Sequence, residues 1–208
     1  MKKLIRGILH FRESRRQEYA KTFSKLALGQ KPDALFIACS DSRVAVNVFA
    51  SSDPGDLFVV RNIGNVVPPY HQPGATGTVA AVDFAVDHLH VRDIIICGHS
   101  DCGAIRARSQ GLENLPDGGV KAWLQMGMSE AVDGDLNEAS RRNVLAQLGR
   151  LKHYPSVAKA IAERRLGLHG MWFDIRNVDV LYYEDGIRKW TVLESKDGER
   201  ILSQLEKY

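Results

Sequence analysis

Three short apolar runs, residues 34–39, 57–61 and 94–97, constrain this chain more than any other feature. Each is too short for a buried helix and is rich in Ile, Val or Phe, so each reads as a buried strand. Turn chemistry in Lys31-Pro32-Asp33 and Asp53-Pro54-Gly55-Asp56 precedes the first two. Ahead of the third, residues 78–89 place Val79, Val82, Phe84, Val86 and Leu89 as a helix would. This rhythm of helix then strand predicts parallel crossovers and an α/β fold.

The remaining segments fill out that architecture. Leu4, Ile5, Ile8, Leu9, Tyr19, Phe23 and Leu26 recur at helical spacing among charged residues, which predicts an amphipathic helix over 1–28, stopped by Gly29 and Pro32. Further helices are expected at 100–109, 138–151 and 156–166, a late hairpin at 171–175 with 178–183, and a mostly surface loop over 111–135. Residues 68–77 are turn-rich. The expected whole is a central, mostly parallel β-sheet flanked by helices, with an antiparallel edge strand and an N-terminal helical arm over 1–29. With 208 residues and no internal repeat, 1–208 form one domain.

Composition excludes several functions. Apolar residues at 44% and charged residues at 25% fit neither a disordered chain nor a fibre. A net charge of +3 leaves no nucleic-acid footprint, and Lys2, Lys3, Arg6, Arg12, Arg15 and Arg16 read as a solvated helix face. No apolar run approaches the ~18 residues of a membrane span, and residues 1–16 lack a signal-like apolar core, so a cytoplasmic chain is expected. Three cysteines, an odd number, favour reduced thiols or metal ligands over a disulfide scaffold.

In open parallel sheets ligands bind beyond the carboxyl ends of the strands. Cys39 ends the first run, and Cys97-Gly98-His99 ends the third. In His99-Ser100-Asp101-Cys102 an imidazole and a thiol are three residues apart at a strand-to-helix turn, and Cys39 can supply a third ligand. Two Cys and one His is the count of a catalytic zinc site, which keeps one position open. On ligand types alone, buried cysteines acting as small hydrophobes and a hydrogen-bonded turn histidine compete with that reading, and Cys97 is assigned to the core. The context Cys39-Ser40-Asp41-Ser42-Arg43 favours the metal, because it adds an acid that Arg43 can hold bidentately. A noncatalytic thiol sensor would give Asp41 and Arg43 no purpose.

These residues resemble the beta class of carbonic anhydrases, which carry C-x-D-x-R and, further along, H-x-x-C-G. Here those read Cys39, Asp41, Arg43 and His99, Cys102, Gly103. The likeness runs on through Pro54-Gly55-Asp56, Val59-Val60-Arg61-Asn62, Gly64-Asn65, Pro68-Pro69-Tyr70 and Leu168-His169-Gly170. Ala104 departs from it, since many members have a second Gly there.

The resemblance implies one zinc ion per chain on Cys39, His99 and Cys102, and reversible hydration of carbon dioxide to bicarbonate and a proton by a zinc-bound hydroxide. Asp41 would orient that hydroxide while Arg43 holds Asp41. Gln30, Phe58, Phe84 and Gly103 would line the substrate pocket, partly from a second subunit, in a homodimer or larger homo-oligomer embraced by the arm. In the family Asp can instead close the site as a fourth ligand. The subset that switches this way with bicarbonate usually carries Trp and Gly where this chain has Phe36 and Ala38, so an always-open, non-allosteric type is expected. Carbonyl sulfide or carbon disulfide, used by some relatives, is the alternative substrate class. His88 and His90 near a helix end, and His169 at a turn, are expected in solvated or structural roles.

Overall fold

The computed structural model describes residues 1–71, 76–128 and 132–205. Six strands form one sheet in the order β2-β1-β3-β4-β5-β6: β1 (Ala34–Cys39), β2 (Leu57–Asn62), β3 (Asp93–His99), β4 (Gly167–Asp174), β5 (Asp179–Glu184) and β6 (Lys189–Val192). The pairs β1–β2, β1–β3 and β3–β4 are parallel, and β4–β5 and β5–β6 antiparallel. The expected parallel sheet is present, with two antiparallel strands rather than one. Because β4 starts at Gly167, His169 lies inside a strand and not at a turn, which corrects its expected setting.

Nine helices accompany the sheet among the described residues: α1 (Lys2–His10), α2 (Arg16–Leu26), α3 (Val46–Phe49), α4 (Thr76–Asp83), α5 (Gly103–Ser109), α6 (Gly119–Gly127), α7 (Leu136–Leu151), α8 (Pro155–Ala162) and α9 (Ser195–Leu205). Period-two alternation sends Leu35, Ile37, Ile94 and Ile96 to one face, where they pack with Val82, Val86, Val144, Leu151 and Val157. Phe36, Ala38, Ile95, Cys97 and Phe173 take the other face with Val44 and Val46. Each wholly buried Leu or Ile contributes about 1.5–3 kcal/mol. Cys97 is fully enclosed, as assigned, and burial pushes its thiol up to about 12.

Residues 111–135 are not mostly surface loop. They contain α6, and Leu112, Leu124 and Met128 are buried against Val66, Cys102 and Ile105. Gly and Asp in this stretch mask a short helix whose inner face is apolar; residues 129–131 lie outside the described part. So do 72–75 of the turn-rich stretch. The long N-terminal helix is present, interrupted by a π turn over Phe11–Arg15. None of its residues from Lys2 to Leu26 is buried, and Leu4, Ile5, Ile8, Leu9 and Phe23 are all at least half exposed. Among the described residues no helix is long and apolar enough to cross a membrane.

Candidate metal centre

Parallel pairing of β1 with β3 brings Cys39 and His99 to the same end of the sheet. After His99 the chain reverses at Asp101, whose φ of +55° is left-handed, and α5 begins at Gly103. The expected helix start at residue 100 therefore falls three residues later, and that turn carries Cys102 back toward His99. The turn is pinned from three sides. Ser100 N–H donates to the Phe173 carbonyl (3.0 Å), Asp101 N–H to Asn137 Oδ1 (3.1 Å), and Ser140 Oγ to the His99 carbonyl (2.9 Å). Asn137 and Ser140 are on α7, whose start is capped by Asp135 accepting the Glu138 N–H at 2.8 Å.

One ligand atom each from Cys39, His99 and Cys102 lies within 4.8 Å of the others, and all three residues are buried. His99 Nδ1 is 2.9 Å from the Ser100 carbonyl. An acceptor there puts the ring proton on Nδ1 and leaves a lone pair on Nε2, which is buried and has no hydrogen-bond partner. An orphaned imidazole nitrogen beside two thiols fits a zinc ion held by three protein ligands with a fourth position open. The thiols titrate as a pair. Cys102 and the N–H groups of Asp41 and Gly64 draw the Cys39 thiol down against its burial, while the neighbouring Cys39 and burial drive Cys102 up. A bound cation relieves that crowding of two thiolates.

Asp41 and Arg43 stand directly after Cys39. Arg43 Nη2 and Nε reach both oxygens of Asp41, at 2.7 and 2.9 Å, and the Arg43 N–H adds a third bond at 3.0 Å. These bonds hold the Asp41 carboxyl well below the usual carboxylate range. Arg43 is fixed in turn by Asp101 (3.3 Å to Oδ2, 3.2 Å to the carbonyl), and Arg106 pairs with the same Asp101 carboxylate.

The sequence motif Val59-Val60-Arg61-Asn62 assigns Arg61 no role. Its guanidinium clamps the carbonyls of Cys39 (3.0 and 2.9 Å) and Asp41 (2.6 Å), tying the ligand loop to β2. An arginine inside an otherwise apolar strand was the one available signal. Gly64 has φ +76°, and a Cβ there would lie 2.4 Å from Met128 Cε and 2.9 Å from Ala104 Cβ. The extra methyl of Ala104 is therefore accommodated against a glycine.

Of the four expected pocket residues, Gly103 directly follows the ligand Cys102, while Gln30, Phe58 and Phe84 lie in other segments of the chain. Gly103 opens α5, with free space where a Cβ would stand. Gln30 is exposed between α2 and β1. Phe58 and Phe84 touch each other, with ring centroids 5.9 Å apart, and Phe84 is 42% exposed. In the β1–β2 register Phe58 faces Leu35 while Asn62 faces Cys39, so Phe58 stands four strand residues, on the order of 13 Å, back from the metal ligands.

Fold and site together define an α/β metalloenzyme with a thiolate–imidazole centre at the carboxyl ends of parallel strands. A family model described as carbonic anhydrase matches residues 34–180. The chain is 43% identical over 190 residues to a carbonic anhydrase of Pseudomonas aeruginosa, covering 85% of this chain and 84% of that one. It is 46% identical over 201 residues to a carbonic anhydrase of Helicobacter pylori, covering 85% and 87%. The solved beta-carbonic anhydrase CcaA superposes with a TM-score of 0.85 at 35% identity, covering 94% of this chain and 93% of that one. Tetrameric beta-carbonic anhydrases of Sordaria macrospora give 0.67 at 30% identity, covering 92% and 95%. The chain belongs to the carbonic anhydrase family, in its beta class, whose members are zinc-dependent lyases.

Proposed function

We propose that this chain is a cytoplasmic, always-open beta carbonic anhydrase that hydrates carbon dioxide reversibly to bicarbonate and a proton, with one zinc ion per chain on Cys39, His99 and Cys102. The observation that carries the open form is the pair of bonds from Arg43 to both Asp41 oxygens, beside a His99 Nε2 that has no protein partner. Zinc, when bound, acidifies a water and so supplies the nucleophile.

Asp41 stays ionised beside Arg43 and accepts a hydrogen bond from the attacking water, which aims the water's lone pair at the carbon of the substrate. Arg43 holds the carboxylate in that orientation and keeps it from becoming a metal ligand. Arg61 fixes the backbone on which both Cys39 and Asp41 are carried. Phe36 and Phe173, both buried around Phe49, give the loop after β1 an apolar support.

In this reading Gln30, Phe58 and Phe84 complete the pocket of a second copy, alongside Gly103 of the chain whose metal they serve. The exposure of Phe84 and of the whole apolar stripe on α1 and α2 supports a homodimer or larger assembly. Stopped-flow carbon dioxide hydration by zinc-loaded protein tests the activity, with Cys39→Ser as the control that loses metal. Fast turnover abolished in the control is the expected result; no turnover at full zinc content would overturn it. A crystal structure near neutral pH with Asp41 on the metal would overturn the open form.

A further inference from the structure

Two buried side-chain polar atoms have no hydrogen-bond partner among the described residues: His99 Nε2 and Asn65 Nδ2. The first is accounted for by the metal. The second has no such account, yet buried donors are almost always satisfied, and leaving one unpaired forfeits its full hydration. Asn65 is 1% exposed and holds a left-handed φ of +46°, a conformation asparagine adopts readily.

Several groups around it are hydrogen-bonded. Asn62 closes the loop 62–66 by accepting the Val66 N–H (2.8 Å) and donating to the Val66 carbonyl (2.9 Å). The Ile63 carbonyl accepts from Trp123 Nε1 (2.8 Å), and the Gly64 carbonyl from Asn143 Nδ2 (3.1 Å). These bonds fasten the loop that carries the Asn65 amide nitrogen, which has no partner among the described residues. It is also the loop that follows the strand residue paired with Cys39, and its Gly64 abuts Ala104, two residues past Cys102. An unpaired donor buried in a loop that packs against the segment carrying a metal ligand is the mark of a preorganised donor that is satisfied by ligand.

We infer that Asn65 Nδ2 donates a hydrogen bond to an oxygen of the reacting carbon dioxide or bicarbonate, stabilising the charge that develops there. This rests on the hydration reading above. A donor at that position strengthens as the substrate oxygen becomes negative, so it favours the transition state over neutral carbon dioxide. It would stand in the same chain as the metal ligands, unlike Gln30.

Two variants separate this role from a structural one. Asn65→Gly keeps the left-handed backbone without strain and removes the donor; Asn65→Asp keeps the shape and the backbone preference but replaces the donor with an anionic acceptor. Each is compared with the wild type for zinc content, melting temperature, kcat/KM, and the rise in melting temperature that bicarbonate gives the zinc-loaded protein. The expected result for Asn65→Gly is zinc content and melting temperature at or above wild type, kcat/KM lower by between about 10- and 100-fold, and a diminished bicarbonate shift. Asn65→Asp should lose more. Wild-type kcat/KM in either variant, or an activity loss that merely follows lost zinc or a lowered melting temperature, would overturn the inference. Wild-type protein that binds bicarbonate without hydrating carbon dioxide would instead sink the functional reading, and the bicarbonate shift of the variants would still decide the role of Asn65.

Discussion

Asp41 illustrates how a single side chain is committed to one role by its neighbours. Three bonds from Arg43 keep it ionised and turned toward the guanidinium, so its folded pKa lies below the ordinary carboxylate value. The stabilisation linked to this shift is present above that ordinary value and is lost only as pH falls through the lower folded one. Asp41 therefore adds no limb to the activity profile between pH 5 and 9 in the wild type. Arg43→Ala should lower kcat/KM on the order of 100-fold with zinc retained, and should move an acidic limb up toward the usual carboxylate range. A pH–rate profile of the variant that overlays the wild type would show that Arg43 is a surface cation with no hold on Asp41. Asp41→Asn with full turnover would remove the carboxylate from the mechanism altogether.

At the scale of elements, two joints hold the site and the sheet edge. The first is the loop after β2, where Gly64 fits between Met128 and Ala104. Gly64→Ala is expected to cost about 1–3 kcal/mol by overpacking, and to lower zinc content because the same residue supports Cys39; thermal unfolding with metal analysis reads both. The second joins β5, β6 and α9. Buried Glu184 accepts from Arg200 Nη1 (2.5 Å) and Nη2 (2.9 Å) and from Thr191 Oγ1 (2.5 Å), and these bonds push its carboxyl down to about 2 from 4.5. A depressed acid stabilises the fold above its unfolded pKa, so the contribution is complete above about pH 5 and fades as pH falls toward 2. Glu184→Gln should destabilise by about 1.5–3 kcal/mol near neutral pH, with the gap to wild type closing in acid. A gap that stays constant from pH 7 to pH 2.5 would show that charge plays no part in this joint.

On the scale of the whole molecule, the chain has a finished core and an unfinished periphery. The sheet is buried on both faces, yet an arm of more than two dozen residues buries nothing of its own, and Phe58 and Phe84 stand away from the metal ligands. The second copy proposed above, covering the arm and receiving the aromatic pair, would account for both facts. Removing residues 1–29 is expected to give a soluble monomer that still binds zinc and whose kcat/KM falls on the order of 100-fold, as positioning is lost. Sedimentation and metal analysis check the first two outcomes. Truncated protein that remains a fully active dimer would sink the assembly.

Much of this was legible in the residues. Strand and helix periods are local properties of the chain, so the α/β alternation, the first three strands and the amphipathic arm could be read directly. Cys39, His99 and Cys102 could be singled out as candidate ligands only with Asp41 and Arg43 beside them and the C-x-D-x-R and H-x-x-C-G spacings, because the ligand types alone also suit a buried core. Local pattern failed at α6, hidden among glycines and aspartates, and at β6, which is four residues of an edge whose identity depends on β5 beside it. Tertiary structure alone decided which nitrogen of His99 is left for a metal, that Arg61 and α7 brace the ligand loop, and that the Asn65 amide is buried without a partner. The physical reason is that hydrogen bonds and burial between residues far apart in the chain leave no periodic trace. An arginine or asparagine reads as a solvated residue until the fold encloses it.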